Sequence, residues 1–251
     1  MTLHLLRLPV DLRALAAFAV ANRASDDDGG YALPLALRRR FGGAGPQPFR
    51  LFADGPAAPH LLGFLGDPAP LADAAALPAM DDGLDPVFPA APQLRAMPEA
   101  WREGARYGFE VRVRPVVRFG DRVKKERTAA APSGPEHWHA RAGEVDAWIA
   151  ARTRPGGDPE VTRDAAYRDW LATRLAPAAE LDSADITLFR RTRTRRSTHG
   201  RPGRDHVEGP EAVAKGTLTV RDPAAFATLL ARGVGRHAAF GFGMLLLSPA
   251  R

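Results

Sequence analysis

From Tyr107 to Val117 the side chains alternate: Tyr107, Phe109, Val111 and Val113 fall on one parity, and Glu110, Arg112 and Arg114 on the other. Successive side chains of a strand point to opposite faces, so this period of two predicts a strand with one face in a core and the other half-exposed. A sheet with one apolar face needs helices to cover it. The rest of the chain supplies both. Leu3–Val10 predicts an opening strand, and Asp11 is a good N-cap for a helix over Leu12–Arg23, where Leu12, Leu15, Ala16 and Ala19 recur at helical spacing. Tyr31–Phe41 predicts a second helix with Pro34 in its first turn, and Pro48–Phe52 and Leu61–Leu65 predict two strands. Residues 66–100, rich in Ala, Pro and Asp, read as an irregular linker. Beyond Val117 the pattern predicts an amphipathic turn at Glu144–Arg152, a helix at Pro159–Leu175 and a short strand at Thr217–Val220. A helix Ala224–Arg232 then starts at Asp222-Pro223, and a glycine-rich loop from Gly233 runs into a final strand. The order βαββ, linker, βααββαβ predicts an α+β fold with helices on one face of each of two sheets.

Composition narrows what such a fold can do. The 251 residues allow one large domain or two small ones. There is no cysteine, which excludes disulfides, thiolate nucleophiles, iron–sulfur clusters and cysteine zinc sites and agrees with a reducing compartment. No apolar run reaches the roughly 18 residues that span a bilayer, and the N-terminus shows no signal peptide, so a cytoplasmic protein without a membrane partner is expected. The formal charge is +6 and only three residues are lysine. Arginine is favoured where planar contact to phosphate matters, although GC-rich codon use also inflates it.

Distribution separates those two readings. Of the 35 basic residues, 14 lie in two windows, 112–127 and 186–206, and the second window holds no acid before Asp205. Solvated faces normally mix signs, so a polyanion-binding surface is favoured. Arg191, Arg193 and Arg195 share one parity, with Thr192 and Thr194 on the other, which sets a row of guanidinium groups on one face of a strand. The Ser197–Arg204 stretch after it reads as a turn, so the expected element is a basic hairpin, with a solvated basic loop as the alternative.

Four segments in order carry a family resemblance: the tyrosine-led helix Tyr31–Gly42, the strand Tyr107–Pro115, the stretch Lys215–Pro223 and, most specifically, the ending Gly233–Leu247. Together they resemble the CRISPR RNA-processing endoribonucleases, most closely the CasE branch of type I-E systems. The resemblance implies tandem ferredoxin-like (RRM-like) domains. These are 1–98, including the linker, and 99–251, carrying a helical insertion at about 158–182 and the basic hairpin at about 186–206. It also implies a cofactor-free, metal-independent endoribonuclease that cuts CRISPR repeat RNA at the base of its stem-loop. The 2′-OH attacks the adjacent phosphate, leaving a 2′,3′-cyclic phosphate. The enzyme then stays on the guide RNA beside other subunits of an effector complex.

Type I-E members place a tyrosine and, three residues later, a histidine on the first-domain helix. Tyr31 fits the tyrosine, but Pro34 stands at the histidine position. This departure, with the Pro159–Leu175 helix and the arginine hairpin, resembles the variant nucleases of type IV systems. Arginine-assisted catalysis is then expected, with Arg23, Arg38 and Arg236 clamping the phosphate and Tyr31 or His237 assisting proton transfer. Arginine itself is a poor base. RNA contacts are expected from Arg39, Arg114, Arg118, Lys124, Lys125, Arg190, Arg191, Arg193, Arg195 and Arg196, and from close backbone approach at Gly241 and Gly243. Structural roles stay open beside these: Arg38, Arg39 and Arg40 also suit a helix C-terminus, and the glycines also suit a tight turn. His4 reads as a sheet histidine. His137 and His139 lack a third ligand, so no metal site is expected. A cleavage-inactive stem-loop-binding subunit and a generic basic nucleic-acid-binding protein are the alternative functions.

Overall fold

Asp11 starts the first helix as the sequence requires. Its carboxylate accepts the N–H groups of Arg13 (2.8 Å) and Ala14 (2.9 Å) and so caps α1 (Leu12–Ala21), which buries Leu15, Phe18 and Ala19. The computed structural model of the protein describes residues 2–24, 31–54, 57–79, 81, 83–118, 144–154, 156–195 and 206–250. In α2 (Ala32–Phe41), Pro34 lies in the first turn, where its missing N–H is one the helix leaves unpaired anyway.

Strands β1 (His4–Pro9), β2 (Phe49–Phe52), β3 (His60–Leu65) and β4 (Gln93–Ala96) pair antiparallel in the order β2-β3-β1-β4. Leu6 and Leu8 of β1 and Leu61 and Leu65 of β3 pack with Phe18, Leu33 and Leu37 of the helices in one core. The linker expected over 66–100 is corrected here, because it holds α3 (Ala69–Ala76), a 3-10 turn at Asp85–Val87 and β4. All four β4 residues are exposed, so the strand buries no apolar face that would set it off from the Ala- and Pro-rich stretch around it. The first half is thus a complete βαββαβ unit.

The second half repeats that path. Strands β5 (Arg106–Val113), β8 (Ala179–Arg195), β9 (His206–Val220) and β10 (Leu245–Pro249) form a sheet in the order β10-β5-β9-β8, the strand order of the first sheet. Between β5 and β8 lie β6 (Val116–Arg118), paired with β7 (Glu144–Asp146), then α4 (Ala147–Thr153) and α5 (Arg163–Leu175). Helix α6 (Pro223–Arg232) joins β9 to β10, with Asp222 accepting from Ala224 and Ala225, both at 2.9 Å. The stretch expected as a helical insertion supplies α5 and the start of β8, and Tyr167, Leu171 and Leu175 of α5 lie in the core with Phe109, Val111 and Phe226.

The short strand expected at Thr217–Val220 is also corrected, since β9 begins at His206. Register shifts at Leu181/Ser183 and Ile186/Leu188 break the parity of β8, and Gly209-Pro210 reads as a breaker in β9. Pairing of β9 to β5 ends at Val113↔Ala212, and β8 and β9 continue alone as a two-stranded ribbon to Arg195↔His206.

The two units are tied across their sheets. Phe64, with Leu3, Leu5 and Leu62, joins the second core from the face of the first sheet turned away from its helices. Arg50 of β2 meets Glu110 of β5 at 2.5 Å, and Lys215 of β9 reaches the same carboxylate at 2.8 Å. Among the described residues no helix is long and apolar enough to cross a membrane.

Candidate nucleic-acid interface

Tyr31, Pro34, Leu35 and Arg38 fall at helical spacing on one face of α2 and line a cleft of about 1030 Å3. The Gly42–Gln47 loop after α2, Phe49 and Phe64 line it further, and Ala239 and Phe240 of the second unit close the far side. Each wall thus comes from a different unit. Arg38 is exposed, and among the described residues its guanidinium has no side-chain partner. Asp67, the carboxylate in the lining, accepts the N–H of Ala69 at 3.0 Å at the start of α3.

Other expected catalytic residues lie elsewhere. Arg23 sits at the C-terminal end of α1 in a left-handed conformation (φ 52°), outside the cleft lining. Arg236 and His237 precede Ala239 in the chain but turn to Glu144. Arg236 Nε lies 2.9 Å from one Glu144 oxygen and His237 Nε2 2.8 Å from the other. His237 also has a positive φ of 69°. Glu144 therefore holds the loop that carries Phe240 to the cleft, a role no local signal announces because it lies far away in sequence.

The glycines expected on RNA serve chain packing. A Cβ on Gly241 (φ +80°) would lie 3.2 Å from the Phe49 ring, and one on Gly243 (φ +83°) 2.6 Å from the Val234 carbonyl oxygen. Close backbone approach is real at both, but the partner is protein.

The arginines divide in the same way. Arg114 is corrected as a surface contact: it is 1% exposed, and Nη2 donates to the Thr192 hydroxyl (2.8 Å) and carbonyl (3.3 Å). Arg112 forms a bidentate pair with buried Glu211, both contacts at 2.9 Å, and Arg190 joins that carboxylate at 3.0 Å. Burial pushes the Glu211 carboxyl up, but these two guanidinium groups outweigh it and hold it below the ordinary range. Arg39 bonds to Asn22 and to Asp81 (3.0 Å) rather than facing outward alone. Arg191 meets Glu208 at 3.4 Å, while Arg193 is exposed with no side-chain partner among the described residues. Arg190 and Arg191 look unopposed in sequence because their acids, Glu211 and Glu208, arrive from the partner strand. Arg118 is exposed at the end of β6, and Arg195 ends β8. Lys124, Lys125, Arg196, His137 and His139 lie outside the described residues. Among the described residues no group of three His, Asp or Glu is gathered to hold a metal ion.

Comparison with known proteins agrees with the topology. A model of the CRISPR associated protein family matches residues 3–249. The chain is similar to CRISPR endoribonuclease Cse3 bound to a 19-nucleotide RNA, at 20% identity and TM-score 0.63 over 99% of this chain and 100% of that one. It is similar to Thermus thermophilus Cse3 bound to an RNA representing a pre-cleavage complex, at 19% identity and TM-score 0.62 over 99% and 100%. Cas6e from Escherichia coli K-12 gives 17% identity and TM-score 0.53 over 100% of both chains. No curated protein matches. Two βαββαβ units in this order are tandem ferredoxin-like folds, and the chain belongs to the CRISPR associated protein family, with a CasE-like fold.

Proposed function

We propose that this protein is an endoribonuclease that cuts CRISPR repeat RNA at the base of its stem-loop, keeps the product and joins other subunits of an effector complex. Residues 1–98 and 99–251 are its two domains. One observation carries the reading: Tyr31 and Arg38, two turns apart on α2, share a cleft with the glycine-rich loop of the other unit. An RNA strand laid between the units meets both walls at once.

The chemistry needs no cofactor in this reading. The 2′-oxygen bonds to the adjacent phosphorus, the bond to the 5′-oxygen breaks, the 2′-OH proton leaves and the 5′-oxygen gains one. Arg38 clamps the phosphate for in-line attack and neutralises charge that grows on its oxygens. The Tyr31 hydroxyl is the proton-carrying side chain on the same helix face. This is a divergent, type IV-like variant in which arginine stands in for histidine. Incubation with repeat RNA in excess EDTA gives a single cut and a 2′,3′-cyclic phosphate end. Intact RNA at stoichiometric protein overturns the proposal.

A second reading, a stem-loop-binding subunit without cleavage, is favoured by Pro34 and by a described cleft lining that holds no histidine. Arg38→Ala separates the two. The enzyme loses about 100-fold or more in cleavage with binding kept within a few-fold, whereas the binding subunit has no cleavage to lose.

A further inference from the structure

Arg163 of α5 is held between two rings. Its guanidinium carbon lies 4.2 Å from the Trp148 ring centroid and 4.0 Å from that of Phe189, while Nη1 donates to Asp146 (2.9 Å) and the Tyr167 hydroxyl (3.0 Å). Arg152, one turn beyond Trp148 on α4, sets its guanidinium 4.9 Å from the same indole. The result is an alternating row, Phe189–Arg163–Trp148–Arg152, running from β8 past α5 to α4. Its middle is fixed, because Trp148 Nε1 donates to the Val161 carbonyl (3.0 Å) and Arg163 is anchored on Asp146. Its ends are open: Phe189 is 41% exposed and Arg152 is exposed.

Three features make this more than packing. Planar rings alternating with guanidinium groups at stacking distance are the composition that stacks nucleobases. Phe189 shares a strand face with Arg191 and Arg193, and no register shift falls between them, so the row opens onto a basic face of the ribbon. The row also stands apart from the cleft. None of its four residues lines the cleft, and Phe189 faces Tyr167 of α5 on the helix side of the second sheet (6.1 Å between ring centroids). A duplex keeps its base faces inside its own stack, so only unpaired nucleotides present a face to such a row.

We propose that the Phe189–Arg163–Trp148–Arg152 row binds unpaired ribonucleotides flanking the stem, a base stacking on an exposed end while Arg193 takes a neighbouring phosphate. The proposal rests on the RNA-processing reading only for which RNA is bound. The test compares affinity for the bare repeat stem-loop with affinity for stem-loops extended by a short single strand at either end. One extension tightens binding about tenfold. Phe189→Leu and Arg152→Gln each remove most of that gain while leaving bare stem-loop affinity, cleavage and thermal melting unchanged. Equal affinity with and without extensions overturns the proposal. So does a variant that weakens bare and extended stem-loops alike, which assigns the row to duplex contact. If the bare stem-loop is neither bound nor cut, the processing reading falls, and an unstructured uridine-rich oligoribonucleotide judges the row instead. Binding lost in Phe189→Leu supports it, and binding absent or indifferent to that change overturns it.

Discussion

Gly43 lines the cleft, yet the fold does not ask for a glycine there: its φ is not in the left-handed region, and a Cβ would meet nothing within 4 Å. If RNA lies against this wall, the space belongs to the ligand. Stability and function then move in opposite directions on Gly43→Ala. The unfolded chain loses freedom, so stability rises by about 0.4–1 kcal/mol, roughly 1–4 °C in Tm. Cleavage of repeat RNA falls about tenfold or more as the added methyl displaces the backbone. A melting curve and a single-turnover assay check both, and unchanged cleavage removes Gly43 from the RNA path. At this scale the sequence was informative where chemistry is local. The Asp11 and Asp222 caps were readable because each bonds within its own first turn. The backbone of Arg23 was not. Its N–H donates to the Val20 carbonyl and that of Ala24 to the Ala19 carbonyl, which closes α1 with a non-glycine residue in the position glycine normally takes.

The β8–β9 ribbon shows what elements add. An arginine row was legible as a period of two, but the pairing of Arg191 with Glu208, and of its neighbour Arg190 with Glu211, depends on cross-strand register that no local window contains. Burial of Arg114 against Thr192 and Phe242 has the same origin, since β5 and the ribbon meet only in the folded sheet. Glu211 is the element's charged centre, 2% exposed and bound by Arg112 and Arg190. Removing one side of a buried ion pair leaves the other charge uncompensated, so Glu211→Ala costs about 3 kcal/mol. Urea unfolding measures that loss, and amide exchange shows it concentrated in residues 190–195 and 206–211. A loss under about 1 kcal/mol, or exchange raised evenly over the molecule, removes Glu211 from this role.

Across the whole molecule, the cleft keeps its far side only while the two units hold their relative position, because Tyr31 and Arg38 belong to one and Phe240 to the other. Its position in the sequence was half legible: α2 was readable from its own residues, whereas the opposite wall and Glu144 required both units to be folded. Glu110 is one tie between them, with Arg50 from the first sheet and Lys215 from the second on the same carboxylate. Burial pushes Glu110 up, but Lys215 and Arg50 outweigh it and leave its pKa below the ordinary 4.5. The folded state then binds this proton less readily than the unfolded chain, so the tie's contribution is complete above the ordinary value and is lost as pH falls through the folded one. Glu211 acts in the same direction, and Asp146, raised by burial, acts against them. Glu110→Gln should therefore melt below the wild type at neutral pH, with the gap closing as acid protonates the wild-type carboxyl. Single-turnover cleavage at neutral pH should fall more than stem-loop affinity, because binding tolerates a misplaced wall and in-line attack does not. A melting gap that stays constant from about pH 7 to about pH 3 would show that Glu110 does not act through its charge.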